Sequence, residues 1–307
     1  MIGRLQRVVV LVALAAALLW LTYWGAHGRW WLAAAGVFMP LMLQPAVLAL
    51  EFFLMLPAAN RADASPRPGR WQLAVAWWRE TLTAFAVFNW RQPFRAGAVP
   101  DHLDGPVQGR RAVILVHGFF CNRGLWNPWM QKLRRLGVPY AAITLEPAFG
   151  GIDAYVPLID AAVARAHGAT GLPPLIVGHS MGGVAVRAWL RAQGHAGEDR
   201  VAGIITIGSP HGGTLTARFS RAANARQMRL GSAWLADLSD AETASQRAMF
   251  TCFYSHCDNI VMPASSAALA GAVNRHLEGE PHVAMAFAPQ VLDEVLRRVV
   301  ASQLSAQ

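Results

Sequence analysis

The segment LIVGHSMGGVAV, Leu175–Val186, holds one serine between glycines where one apolar run ends and another begins. Gly178, Ser180 and Gly182 form a G-x-S-x-G pattern. Small residues let the backbone fold tightly there, so a hydroxyl is held out between a buried strand and the helix that follows. A serine hydroxyl is a weak nucleophile near neutral pH. It needs a general base, and the base needs an orienting acid. The chain order expected with such an elbow is serine, acid, histidine. Asp258, in CFYSHCDNIVMP, follows a predicted strand, and His282, in EGEPHVAMAFAP, precedes another apolar segment. Ser180, Asp258 and His282 keep that order. His276 shares a loop with His282 and competes with it. His256 adjoins the acid's own strand end, and His211 precedes the acid, out of order.

Acyl transfer to serine places negative charge on a carbonyl oxygen, which backbone amides must meet. VHGFF, Val116–Phe120, follows the first strand of this half and offers the amide of Phe119; Met181, next to the serine, offers the second. His117 and His179 are then structural.

The stretches VILVHGFFCNRGLW, GHSMGG, ITIGSPHGGT, DNIVMP and PHVAM, in this order, resemble the α/β-hydrolase superfamily, and within it the bacterial triacylglycerol-lipase-like serine esterases. The resemblance spans about Arg110 to Leu304. It implies an α/β-hydrolase fold and carboxylic ester hydrolysis without cofactor or metal. It also implies Ser180 as nucleophile, Asp258 as acid, His282 as base, and Phe119 with Met181 as oxyanion donors. Two other uses of the fold stay open: a membrane-associated acyltransferase and a non-catalytic lipid-binding homologue. The chain departs from secreted lipases in its long apolar N-terminal part and in lacking an obvious disulfide pair or calcium-loop carboxylates. Both departures point away from extracellular fat digestion.

The elements that must position these residues are short apolar runs: Ala112–Gly118, Tyr140–Pro147, Pro174–Ser180, Val201–Pro210 and Met249–Ser255. Helical stretches at Pro128–Leu136, Asp153–His167 and Met181–Gln193 separate the first four. Alternation of this kind predicts an α/β fold, a mostly parallel sheet with helices on both faces. Reacting groups then gather at the carboxyl ends of the strands.

The chain has 307 residues, 54% apolar and 15% charged, with a formal net charge of +9. The apolar excess lies towards the N-terminus. Val8–Trp24 carries no charge, and Trp30–Leu56 carries only Glu51. Both are near or above the length that spans a bilayer, and Pro40 and Pro45 are expected to kink the second. Trp20, Tyr23, Trp24, Trp30 and Trp31 gather around the short gap, as an interfacial belt would. A signal peptide and buried helices of a soluble fold are the rival readings; no small-x-small cleavage site follows the first run. Arg4 and Arg7 before the pair, and Arg61, Arg67 and Arg70 after it, predict both ends on the cytoplasmic side of a bacterial inner membrane. Asn60–Arg70 reads as a polar linker. Beyond it Trp71, Val75, Trp78, Leu82 and Phe85 lie at helical spacing, a stripe that either packs on the folded domain or lies in a membrane interface.

The expected organisation is thus a membrane-anchoring hairpin over 1–59, a linker and interfacial helix over 60–110, and a catalytic domain over 111–307 with a lid-like insertion at about 214–248. That insertion mixes Phe219, Met228, Leu230, Trp234, Leu235 and Leu238 with Arg218, Arg221, Arg226 and Arg229. It is either a moving lid or a fixed cap. Zinc-ligand spacing and nucleic-acid-binding motifs are missing, so an anionic membrane and an acyl-ester substrate are the partners the charge suggests. Cys121, Cys252 and Cys257, an odd count, predict reduced thiols rather than a disulfide framework.

Overall fold

The computed structural model describes residues 1–55, 63 and 65–304. Most of the expected Asn60–Arg70 linker's first half lies outside them. Six parallel strands form one sheet: β1 (Val113–Val116), β2 (Tyr140–Ala142), β3 (Leu175–His179), β4 (Gly203–Ile207), β5 (Phe250–Tyr254) and β6 (Val273–His276), in the order β2-β1-β3-β4-β5-β6.

The strand residues alternate between two cores. Ile114, Val116, Ile176 and Ile204 face α6 (Val156–Thr170) and α7 (Met181–Gln193), with Ile159, Val163, Val184 and Trp189. Val113, Leu115, Val177 and Ile205 face α5 (Asn127–Arg135) and α12 (Pro289–Leu304), with Trp129, Leu133, Val291 and Val295. Successive side chains on a strand point to opposite faces, so a strand covered on both faces is nearly continuously apolar. Each fully buried Val, Ile or Leu contributes about 1.5–3 kcal/mol. The edge strand β6, VNRH, was not predicted. It is exposed along its length and has no apolar pattern to reveal it. Its place is set by pairing with β5.

Before the sheet come α1 (Ile2–Ala26), α2 (Trp30–Met55) and α3 (Arg70–Ala84), then a π-helical stretch, Phe85–Arg91, and the short α4 (Gln92–Arg95). Both α1 and α2 are long and apolar enough to cross a membrane. They form an antiparallel hairpin turning at His27–Arg29. Gly36 lets them close up, since a Cβ there would fall on the Trp20 ring, whose Nε1 donates to the Leu32 carbonyl at 2.7 Å. Helix α2 runs on through Pro40 and Pro45.

Among the described residues the hairpin meets the rest of the protein through the start of α1 and the Gln44–Met55 half of α2. In α1, Gln6 donates to the Phe120 carbonyl and Arg7 to that of Pro93. In α2, Leu48, Phe52 and Met55 are buried. Towards the turn the apolar side chains, Val12, Leu18, Leu19, Trp31, Phe38 and Met39 among them, are exposed. Helix α3 packs on α2 through Leu73 and Trp77 against Phe52 and Met55. Four residues of the expected apolar stripe, Trp71, Val75, Trp78 and Leu82, point outward, whereas Phe85, just past the end of α3, is half-buried. The buried face is Ala76, Glu80, Thr81 and Ala84.

The insertion between β4 and β5 carries α8 (Ala223–Gln227), α9 (Ala233–Asp240) and α10 (Ala244–Ala248). Met228, Leu235 and Leu238 belong to the core above α7. Arg187 of α7 ties the rear of the insertion down. Its fully buried guanidinium meets Glu242 at 2.6 Å and donates to Ser239 Oγ and the His211 carbonyl. Phe219, in contrast, is 79% exposed.

Candidate active site

Ser180 follows β3 directly and has φ 55°, a left-handed backbone unusual for a residue with a side chain. The turn is enforced by close approach. A Cβ at Gly182 would lie 2.6 Å from the carbonyl oxygens of both Val116 and His117. Ser180 N–H donates to the Ile207 carbonyl at 2.8 Å, fixing the elbow to β4.

The structure brings the three predicted residues together. Ser180 Oγ lies 3.0 Å from His282 Nε2, and His282 Nδ1 lies 2.9 Å from Asp258 Oδ2. The other Asp258 oxygen accepts from the amides of Ile260 and Val261. All three residues are buried. Burial alone would lower the His282 pKa; the charge and hydrogen bond of Asp258, with the carboxylates of Glu80 and Glu51, outweigh it and raise the value above 6.5. An imidazole so placed can take the serine proton, and the imidazolium that forms faces a carboxylate.

The competing histidines are engaged elsewhere. His276 stacks on His256, with Nε2 and Nδ1 2.8 Å apart. His211 pairs with Thr206 Oγ1 at 3.0 Å. His117 accepts from the Leu145 amide and contacts the Gly118 carbonyl. Burial pushes its pKa down to about 4. His179 Nε2 donates to the carbonyl of His282 itself at 3.1 Å, and its pKa falls to about 3, again chiefly through burial. Both are neutral props. Met181 opens α7, so its N–H has no carbonyl partner within the helix. Phe119 lies beside Ser180 in both cavities described below.

Three residues missed by the sequence reading hold the His282 loop. Glu80 of α3, 1% exposed, accepts from the amides of Val283 and Ala284 at 2.8 and 3.0 Å. Burial raises its carboxyl pKa to about 7, against the two amides and the nearby His282. Arg79, one residue earlier, grips Glu280 with both nitrogens. Asn259 accepts from the His282 amide at 3.2 Å and donates to Glu51 of α2 at 2.7 Å. A lone carboxylate in an apolar helix was the available signal for Glu51, and a carboxylate opposite an exposed stripe the signal for Glu80.

Two cavities flank Ser180. The larger, about 690 Å³, runs between α2 and the start of the insertion. The smaller, about 320 Å³, is lined by His282, Cys121 and Phe88, with Leu48 of α2. Cys121, Cys252 and Cys257 are free and buried, and burial pushes the Cys121 thiol up to about 12. Among the described residues, no group of His, Cys, Asp and Glu is arranged to hold a metal ion.

Residues 113–302 match the sequence profile of the alpha/beta hydrolase family. The chain belongs to that family. In fold, this hydrolase is similar to the Bacillus licheniformis lipase BlEst2. Against the mature form the TM-score is 0.55 at 15% identity, covering 64% of this chain and 94% of that one. Against the propeptide form it is 0.55 at 17% identity, covering 64% and 52%. Aspergillus fumigatus lipase B aligns at TM-score 0.47 and 20% identity over 55% of this chain and 45% of that one. No curated protein matches the sequence.

Proposed function

We propose that this alpha/beta hydrolase is a membrane-anchored serine esterase that cleaves acyl esters of lipids. The observation that carries the reading is the pair of short contacts, Ser180 Oγ to His282 Nε2 at 3.0 Å and His282 Nδ1 to Asp258 Oδ2 at 2.9 Å. Ser180 Oγ attacks the ester carbonyl as His282 takes its proton. The amides of Phe119 and Met181 receive the oxyanion. The tetrahedral intermediate collapses, the alcohol leaves with the proton returned by His282, and water then hydrolyses the acyl-enzyme by the same proton relay. Asp258 holds the imidazole in register through its hydrogen bond to Nδ1.

The apolar hairpin serves as the anchor in this reading. It is supported by the exposure of its apolar side chains towards the turn, away from the contacts that the start of α1 and the Gln44–Met55 half of α2 make with the domain. The arginines before and after it favour the cytoplasmic side for both ends, which a C-terminal reporter fusion tests. Within the insertion Phe219 is exposed, whereas Ala217, Met228, Leu235 and Leu238 are packed in the core, which favours a fixed cap over a moving lid.

Labelling with a fluorophosphonate probe tests the nucleophile. The parent protein reacts and Ser180→Ala does not; an unlabelled parent refutes the proposal. Product analysis with and without added alcohols separates hydrolysis from acyl transfer.

A further inference from the structure

The larger cavity has the membrane-type helix α2 as one of its walls. Its volume, about 690 Å³, falls in the range of cavities that enclose small-molecule ligands. Val47, Leu50 and Leu54 of α2 form one wall, and Leu215, Phe219 and Met228 stand across from them. Val47, Leu50, Leu54 and Phe219 are also exposed on the outside of the protein, so these four, with the exposed Arg218 beside Phe219, rim the mouth. The mouth lies at the base of the hairpin. There α2 is fixed to the domain through Gln44, which accepts from Asn89, and Glu51, which accepts from Asn259. On one side the exposed apolar hairpin runs away from this base; beside it α3 exposes Trp71, Val75, Trp78 and Leu82.

An acyl chain entering from water would gain by leaving it, but it would first have to be extracted from its bilayer at the full cost of hydrating its methylenes. A chain passing from hydrocarbon straight into an apolar cavity avoids that cost. The helix that borders the bilayer is the wall of the cavity, and Ser180 lies on the cavity's lining. Glu51 on the same helix reaches the His282 loop through Asn259, so α2 is joined to the site by both its polar and its apolar faces.

Building on the esterase reading above, we infer that the substrate is an acyl lipid resident in the membrane that holds this hairpin. It enters sideways between α2 and the Leu215–Phe219 segment, with its acyl chain against Val47, Leu50 and Leu54. Helix α2 is therefore a determinant of acyl-chain selection as well as an anchor.

The test uses the full-length protein in detergent with p-nitrophenyl esters from acetate to palmitate. Leu50→Trp fills the cavity and Leu50→Ala enlarges it. Leu43→Trp, also exposed on α2 but outside the cavity lining, is the control. Leu50→Trp lowers kcat/KM for palmitate relative to acetate by about tenfold or more, and Leu50→Ala shifts the same ratio. Leu43→Trp leaves the profile unchanged. Fluorophosphonate labelling of each variant reports an intact site; should Leu50→Trp fail to label, Leu50→Ala decides. In proteoliposomes, a lipid ester in the same bilayer is hydrolysed and one in separate vesicles is not. A parent-like chain-length profile in the labelled Leu50 variants, or equal hydrolysis in separate vesicles, overturns the lateral route and leaves the esterase reading standing. An unlabelled parent overturns the esterase reading and this inference with it.

Discussion

Glu80→Gln isolates the buried carboxyl that holds the His282 loop. Glu80 ionises near pH 7 in the folded protein because burial penalises its charge, against 4.5 for an ordinary glutamate. Between those values the folded state keeps a proton that the unfolded chain has released. Stability is therefore highest below pH about 4.5 and falls as pH rises to about 7, by about 3 kcal/mol from this group alone. At roughly 2–4 °C per kcal/mol for a domain of this class, the corresponding change in Tm is on the order of 6–12 °C. Glutamine keeps the shape and one acceptor for the amides of Val283 and Ala284 but removes the titration. Other groups titrate in both proteins, so the quantity to measure is the change in Tm between pH about 5 and about 8, parent minus variant. The parent loses more stability than Glu80→Gln over that interval. A second reading comes from the rate. The Glu80 carboxylate helps to raise the His282 pKa, so the variant's acid limb of ester hydrolysis moves to lower pH. Parallel Tm curves together with an unshifted acid limb would refute the account of Glu80.

Hydrolysis by the parent is lost on acidification through a pKa above 6.5, because the base must be neutral and Asp258 with its neighbours favours the imidazolium; a pH–rate profile checks this. Asp258→Asn moves that limb downward and lowers kcat by about a thousandfold or more, because the imidazole loses its orienting charge. Gly182→Ala forces a methyl against the carbonyls of Val116 and His117, costing about 1–3 kcal/mol or more; it slows fluorophosphonate labelling and lowers Tm together. Arg187→Ala removes the close partner of the buried Glu242, leaving it Arg247 Nε at 3.5 Å, and destabilises by about 3 kcal/mol in thermal unfolding. It leaves the Ser180–His282 spacing intact, since Arg187 points to the insertion.

Much of the hydrolase was legible in the chain. The four central strands read as apolar runs because a strand covered on both faces leaves few positions for a polar residue; the buried Thr206 and Thr251 are hydrogen-bonded to His211 and Arg298. Ser180 was legible because its turn tolerates so little beside it: glycines at 178 and 182 are visible as letters. Asp258 and His282 were legible by order along the chain, each next to a predicted strand end or apolar segment. What stayed hidden depends on contacts between distant segments. Edge strand β6 has no apolar signature, since its side chains face water. The choice of His282 over His276 is made by loop geometry that places one ring over Ser180 and stacks the other on His256.

Composition alone marked the first ninety residues as apolar and fit for a membrane. Only the tertiary structure decides that they also reach the His282 loop. Periodicity identifies the apolar stripe of α3, but burial is set by what packs on the helix. The face that is buried carries Glu80, because its carboxylate satisfies two amides of the His282 loop. Likewise Glu51 is a single charge in an apolar run until folding places it opposite Asn259. Hydrogen bonds across more than two hundred residues leave no spacing in a sequence; they exist only where the fold brings both ends together.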